Sequence, residues 1–275
     1  MWKDAMEPGF APSEIDTSRP HPARMYYYYL RGKDHYLVDR EAAAAVMRTA
    51  PDTRDTALAN RAFLQRVVRF LVGEAGIRQF IDVGTGIPAA GNVHEVAHEM
   101  SPDVRVAYVD NDPIVHVHAN ALLTGRGNTS IVLGDLRDPE GILSHPKIRE
   151  LIDFDEPVGL LLIAILHFIT DEETPGQIVA AFRDALPRGS FLALSHGTAD
   201  LHDQAITDAA KAVYAKATAP LVLRSHAQVT ALFEGWDLTE PGVVQVPLWR
   251  PDGEPPRPRE LAKIAMYGGV AVQHS

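Results

Sequence analysis

Arg78-Gln79-Phe80-Ile81-Asp82-Val83-Gly84-Thr85-Gly86-Ile87-Pro88-Ala89-Ala90-Gly91-Asn92 is the stretch whose reading decides the fold. A short apolar run ends in Asp82, passes through Gly84 and Gly86, and gives way at Asn92 to a helical pattern. Strand, glycine turn and helix in that order open a nucleotide-binding α/β domain. At such glycines a side chain would hold the backbone away from a ligand. Asn92 suits an N-cap, and Glu95 three residues on completes a capping box.

Two ligand classes compete for the turn. A dinucleotide brings a pyrophosphate, which wants backbone N–H groups, a helix N-terminus and no nearby carboxylate. S-adenosylmethionine brings an ammonium, a sulfonium and two ribose hydroxyls, which want acceptors and negative charge. Asp82 lies two residues before the first glycine, and no Lys or Arg stands between Ile81 and Met100. The charge favours S-adenosylmethionine over a nicotinamide cofactor.

Two further acids strengthen that reading. Val104–Asp110 is a second strand ending in a carboxylate, spaced from Gly86 to bridge ribose hydroxyls, with Asn111 beside it. Asp112 then caps a helix with Pro113 at its first position. Ser130–Leu136 is a third strand, whose Asp135 is placed to meet the amino group of an adenine. Three strand-end acids in order, Asp82, Asp110 and Asp135, are far more specific than one.

Outward from this core, the 275 residues suit one large domain or one core with an appended segment. A hydrophobic content of 46% indicates a globular protein, and no uncharged apolar run is long enough to span a membrane. The absence of cysteine excludes disulfides and thiolate metal sites and fits the cytoplasm, as does the lack of a signal-peptide pattern. A net charge of −10 weighs against nucleic acid or anionic lipid as partner. Oligomeric state is not legible.

Residues 1–20 are proline-interrupted and read as a loose arm. Four consecutive tyrosines, Tyr26 to Tyr29, follow; they cannot all face one core. The Tyr26–His35 segment is expected to act as a lid over the carboxyl end of the sheet, with Tyr28, Lys33, Asp34 and His35 at the substrate. Helices are predicted over Asp39–Arg48 and Leu58–Gly73, the second with an apolar face of Leu58, Ala62, Val67, Phe70 and Leu71. Residues 1–75 thus form an arm and helical cap, and 76–275 the cofactor-binding core.

His94-Glu95-Val96-Ala97-His98 spells the H-E-x-x-H zinc motif. Helical spacing, however, puts Val93, Val96, Ala97 and Met100 on the packed face and both histidines on the solvated one, so no metal site is expected.

The chain resembles S-adenosylmethionine-dependent methyltransferases of the seven-stranded Rossmann-like kind, and more closely an actinobacterial methyltransferase family. The resemblance runs from Ile15-Asp16-Thr17-Ser18-Arg19-Pro20 to Trp249-Arg250-Pro251. It includes Gly32-Lys33-Asp34, Ala59-Asn60-Arg61-Ala62-Phe63-Leu64, Asp82-Val83-Gly84-Thr85-Gly86, Asp135-Leu136-Arg137-Asp138-Pro139, Leu166-His167-Phe168 and Leu194-Ser195-His196. It implies an α/β sheet flanked by helices. It also implies that Asp82, Gly84 and Gly86 hold the methionine part, Asp110 the ribose, and Asp135-Leu136 the adenine.

The remaining strands are expected at Pro157–Leu166, Ser190–Ser195, Leu238–Val246 and Ile264–Val272, the last two as an antiparallel edge pair. His167 and His196 end the fourth and fifth strands, where a base for the methyl acceptor should hang. His116, His118, His202 and His226 are assigned to the surface. The expected activity is methyl transfer to a small molecule; a non-catalytic cofactor-binding sensor or a nicotinamide-dependent oxidoreductase are the alternatives.

Overall fold

The computed structural model describes residues 16–123 and 128–274, so most of the expected N-terminal arm lies outside the described residues. Helices α1 (Pro22–Tyr29), α2 (Leu37–Thr49) and α3 (Thr53–Gly73) precede the first strand. Strands β1 (Gln79–Val83), β2 (Arg105–Asp110) and β3 (Thr129–Leu133) then alternate with α4 (Val93–Met100) and α5 (Pro113–Leu123). Next come α6 (Pro139–Ser144), α7 (Pro146–Leu151), β4 (Gly159–Ile163), α8 (Pro175–Ala185), β5 (Phe191–Gly197), α9 (Gln204–Tyr214) and α10 (His226–Ala231). The chain finishes with β6 (Asp237–Leu238), β7 (Val244–Gln245), α11 (Pro258–Leu261) and β8 (Met266–Val272).

The sheet runs β3-β2-β1-β4-β5-β8-β6, with β7 also pairing β8. The first five of these strands are mutually parallel, and β8 is antiparallel to β5. The chain builds outward from β1 to β3, then returns to add β4 on the other side of β1. That reversal opens a crevice at the carboxyl ends of β1 and β4, where ligands bind in open α/β sheets.

Both faces of the sheet are covered, which is why β1 is buried at all five positions. Ile81 and Val83 face a cluster built with Ile142, Ile148, Val179 and Phe182 of α6, α7 and α8. Phe80 faces the opposite cluster, with Phe63, Val67 and Leu71 of α3 and Val96 of α4. α3 is therefore a layer of the core. The part that stands apart is α1 and α2, which share a separate cluster of Met25, Tyr29, Ala43 and Val46 with Ala210 and Tyr214 of α9.

The sheet is of the expected kind and has eight strands, because the expected Leu238–Val246 strand is divided at Pro241, which lacks an N–H, and Gly242, which adopts φ 82°. Only β6 and β7, on either side of the break, pair β8. Two expected helix faces need correction. The buried face of α3 is Phe63, Leu64, Val67, Val68 and Leu71, while Leu58 is 49% exposed. α4 is rotated from the expected setting, burying His94 and exposing Met100.

The burial of His94 has a polar cause. Its backbone N–H donates to the Tyr108 hydroxyl at 2.9 Å, and its Nδ1 lies 2.7 Å from the same oxygen. His98 meets the Val104 carbonyl at 2.8 Å through Nε2. Among the described residues no three His, Asp or Glu side chains gather as metal ligands, and no helix is long and apolar enough to cross a membrane.

Candidate active site

Gly84 and Gly86 both take left-handed backbone, at φ 76° and 69°, which favours glycine. A Cβ on Gly84 would lie 2.5 Å from the Ile165 side chain, whereas one on Gly86 would meet nothing within 4 Å. The first glycine lets β1 pack against the chain leaving β4. The second leaves open space beside the cleft. The predicted capping box forms, with Glu95 accepting the Asn92 N–H at 3.0 Å. Arg61, from α3, fastens the turn by donating to the Ala89 carbonyl at 2.8 Å and to Asn92 Oδ1 at 2.7 Å.

Asp82, Gly84, Gly86, Asp110, Asn111, Asp135 and Leu136 come together around one cleft of about 340 Å³. Asp110 accepts the Gly86 N–H at 2.8 Å on one oxygen and the Asp112 N–H at 2.9 Å on the other. Each oxygen keeps a lone pair for a ligand. Burial pushes Asp110 up to about 7, against the pull of these two N–H groups, with the charges of Asp112 and Asp82 adding to the rise. Burial likewise raises Asp82 to about 6, opposed by the Thr85 hydroxyl and the Arg61 charge. Asp135 is more open. Burial would raise it, but the Arg137 N–H, the Asn111 amide and the Arg137 guanidinium outweigh that and hold it below the usual range.

α1 closes one side of the cleft through a buried ionic cluster. Arg24, 2% exposed, lies 3.2 Å from Asp112 and 3.7 Å from Asp39 of α2. His21 stands 3.2 Å from Asp112, and its N–H donates to Asp39 at 2.9 Å. Asp112 thus carries the cap on its carboxylate and Asp110 on its N–H. α1 also brings Tyr26 to the cleft, where its hydroxyl donates to the Ala57 carbonyl at 3.1 Å and accepts from Asn60 at 3.0 Å. Among the described residues, Asn60 Oδ1 is buried without a hydrogen-bond partner.

The four tyrosines diverge, as their succession on one helix requires. Tyr29 bonds the Tyr214 hydroxyl at 3.2 Å, Tyr27 reaches Asp34 at 3.3 Å, and Tyr28 packs edge-on against His35. The chain then turns at Arg31, φ 65°. Tyr28, Lys33, Asp34 and His35 are not among the residues lining the cleft; Tyr26 and His21 take the place expected of them.

His196 lies at the end of β5, whereas β4 stops at Ile163 and His167 sits four residues on, in the turn Leu166–Phe168; the two rings are 5.5 Å apart between centres. Neither presents a free basic nitrogen to the cleft. His196 is fully buried, with Nδ1 on the Gly197 carbonyl at 2.7 Å and Nε2 on Arg224 at 2.9 Å. Burial lowers it to about 4. His167 Nδ1 accepts the Gly197 N–H at 3.2 Å, so its proton resides on Nε2. Burial, then the neighbouring His196 and Arg224, hold its pKa well below the ordinary value. His196 serves the network through which Arg224 grips the carbonyls of Leu166 and Ile169. His116 is buried and His118 and His202 are half-buried, against their expected place on the surface, while His226 is exposed.

Sequence reasoning missed Arg24, His21, Asn60, Arg61 and Arg224 as parts of the site. Charged residues within otherwise apolar helical faces are the signal that could have found Arg24 and Arg61. Nothing local marks Arg224.

The chain is similar to several solved structures. A DUF574 family protein from Streptomyces avermitilis is 44% identical, with a TM-score of 0.90 over 94% of this chain and 99% of that one. A candidate methyltransferase from Thermobifida fusca is 38% identical, with a TM-score of 0.89 over 97% and 99%. A SAM-dependent methyltransferase from Anabaena variabilis, 15% identical with a TM-score of 0.50 over 76% and 84%, shares the fold alone. No curated protein matches in sequence. The model of a family described as S-adenosyl methyltransferase matches residues 8–274. The chain belongs to that family, and it is an enzyme whose cofactor is S-adenosylmethionine.

Proposed function

We propose that this methyltransferase acts on a small molecule in the cytoplasm. We further propose that it holds S-adenosylmethionine on Asp82, the Gly84–Gly86 turn, Asp110 with Asn111, and Asp135 with Leu136. The observation that carries this reading is the pair of buried carboxylates, Asp82 and Asp110, whose pKa values burial lifts to about 6 and about 7. Buried acids at a cleft are stabilised by a ligand bringing cations and hydroxyl donors. The open space at Gly86 and the unpartnered Asn60 Oδ1 suit the same ligand.

When bound, the cofactor supplies a methyl group activated by a sulfonium. The protein's part is then to orient and to exclude water. Asp110 is held by two backbone N–H groups, and its carboxylate would take the ribose hydroxyls. Asp82 would take the ammonium. Tyr26 and Phe168 line the cleft, and Arg224 steadies the segment that carries Phe168. His167, protonated at Nε2, serves as a hydrogen-bond donor and not as the base.

The test is S-adenosylhomocysteine release by the full chain on a panel of phenols, amines and thiols, with protein and nucleic acid as controls. Turnover on a small molecule is expected. Turnover confined to the macromolecules would overturn the assignment.

A further inference from the structure

His21 stands at the N-cap of α1 with a ring that has two nitrogens and only one of them engaged in the fold. Nδ1 lies 3.3 Å from the Ala23 N–H and 3.2 Å from Asp112 Oδ2. No described residue bonds Nε2, and that atom is not sealed from solvent. It opens to the cofactor cleft, which His21 lines.

The residue is held from several sides. Its backbone N–H donates to Asp39 at 2.9 Å, and its carbonyl accepts from Met25 at 2.9 Å. The carbonyl of Pro20, just before it, accepts the Thr218 N–H at 3.0 Å. His21 thus stands between Asp112, just past the end of β2, and the Thr218–Ala219 segment beyond α9 that lines the same cleft. Asp82, Asp110 and His21 border one continuous space, so an acceptor beside His21 shares that space with the cofactor.

Two partners compete for Nδ1. The Ala23 N–H needs a lone pair there, and the Asp112 carboxylate needs a proton. Hydrogen bonds to an ionised group are roughly twice as strong as neutral ones, so the carboxylate sets the tautomer. The ring proton then sits on Nδ1, and Nε2 keeps its lone pair. Asp112 is itself fixed, with Oδ1 accepting the Ile114 N–H at 3.0 Å and Oδ2 facing Arg24 Nε at 3.2 Å. Burial lowers the His21 pKa below its ordinary value; Asp112 opposes the fall, Arg24 adds to it and Asp39 opposes it again. A neutral ring with a free Nε2 and a carboxylate behind Nδ1 is the arrangement of a general base.

We propose that His21 is the general base of the reaction, with Asp112 as its positioning residue, and that the acceptor is a phenol. The proposal rests on the cofactor reading above. An amine attacks through a lone pair it already holds and a thiol ionises more readily, whereas a phenol keeps its proton at neutral pH and needs the base most. The aromatic rings of Tyr26 and Phe168 in the cleft suit an aromatic acceptor. As the acceptor oxygen bonds the methyl carbon and the carbon–sulfur bond breaks, the O–H proton passes to His21 Nε2. The products are a methyl ether, a neutral thioether and an imidazolium facing Asp112, which then releases its proton to water.

Two measurements on the full chain test this. Nitrogen NMR of the histidine side chains, with the His21 signal assigned by its loss in His21→Asn, reads the tautomer without any acceptor. The Nδ1–H form is expected, and Asp112→Asn should move the proton toward Nε2. His21→Asn keeps an acceptor for the Ala23 N–H and a donor for Asp112 while removing the base. S-adenosylhomocysteine release is then followed with p-cresol, which is protonated at neutral pH, and with p-nitrophenol, which ionises unaided in mild alkali. In His21→Asn, turnover of p-cresol should fall by about a hundredfold or more and that of p-nitrophenol far less. S-adenosylhomocysteine affinity should change by no more than about threefold. An Nε2–H tautomer in the wild type, equal losses on the two phenols, or no wild-type turnover of either would overturn the proposal. An unchanged tautomer in Asp112→Asn would remove Asp112 from its role. Failure of the wild-type chain to bind S-adenosylhomocysteine would instead strike the cofactor assignment, on which the tautomer does not depend.

Discussion

The Asp110 carboxylate accepts the backbone N–H of Gly86 at 2.8 Å, joining the end of β2 to the glycine turn that follows β1. Two motifs separated by more than twenty residues of chain are one hydrogen-bonded unit. The carboxylate is buried, so losing it removes an acceptor for the turn together with the proposed anchor for the ligand. Asp110→Ala is expected to weaken S-adenosylmethionine binding by about 1.5–3 kcal/mol, the range for hydrogen bonds to a charged group. Titration calorimetry checks this, with unchanged affinity removing Asp110 from the site.

Binding should also depend on pH. The folded values of Asp82, about 6, and Asp110, about 7, both lie above the ordinary 3.8. For the free protein, the stability these groups contribute is complete below 3.8 and is lost as pH rises through 6 and 7. A cationic cofactor favours the charged carboxylates, so its affinity should move the other way. It should rise by about tenfold or more between roughly pH 5.5 and 7.5, with protons released on binding. Titrations in buffers of different ionisation heat would detect the release. A flat profile would mean that neither acid changes charge when the ligand arrives.

The cap latch offers a stability test. Arg24 sits between two carboxylates that are themselves buried, Asp39 and Asp112. Arg24→Met would leave both buried carboxylates without their guanidinium and should cost about 3–5 kcal/mol of unfolding free energy. Because Asp112 also holds Asp110 through its N–H, cofactor affinity should fall as well. Denaturant unfolding that matches the wild type would show that the cluster is no latch.

The glycines separate two effects. Gly86→Ala meets no neighbour and should cost only the left-handed backbone penalty, about 1–2 kcal/mol. Gly84→Ala carries the same penalty and also drives a methyl into Ile165, so its loss of thermal stability should be clearly larger. Equal melting temperatures would contradict the close packing of β1 on the segment after β4.

How much of this was legible beforehand follows from the range of each interaction. Asp82, Asp110 and Asp135 could be read because a strand-end acid after an apolar run is a local pattern, and the parallel order of the strands brings the acids together. The setting of α4 could not, because the spacing of Val93, Val96, Ala97 and Met100 carries no trace of the Tyr108 hydroxyl that draws His94 inward. The role of His196 was hidden for a similar reason. Burial takes away its basicity, and its Nε2 is tied to Arg224, on a loop beyond α9. Among the four tyrosines, composition indicated that some would line a pocket, but only the turn at Arg31 and the bonds to Ala57 and Asn60 select Tyr26.

The most direct test of the central claim is a crystal structure of the chain with S-adenosylhomocysteine. The ribose hydroxyls should lie within hydrogen-bonding distance of the Asp110 carboxylate and the amino group beside Asp82, with the sulfur facing the wall formed by Tyr26 and Phe168. A ligand bound elsewhere, or with its ribose turned away from Asp110, would contradict the account.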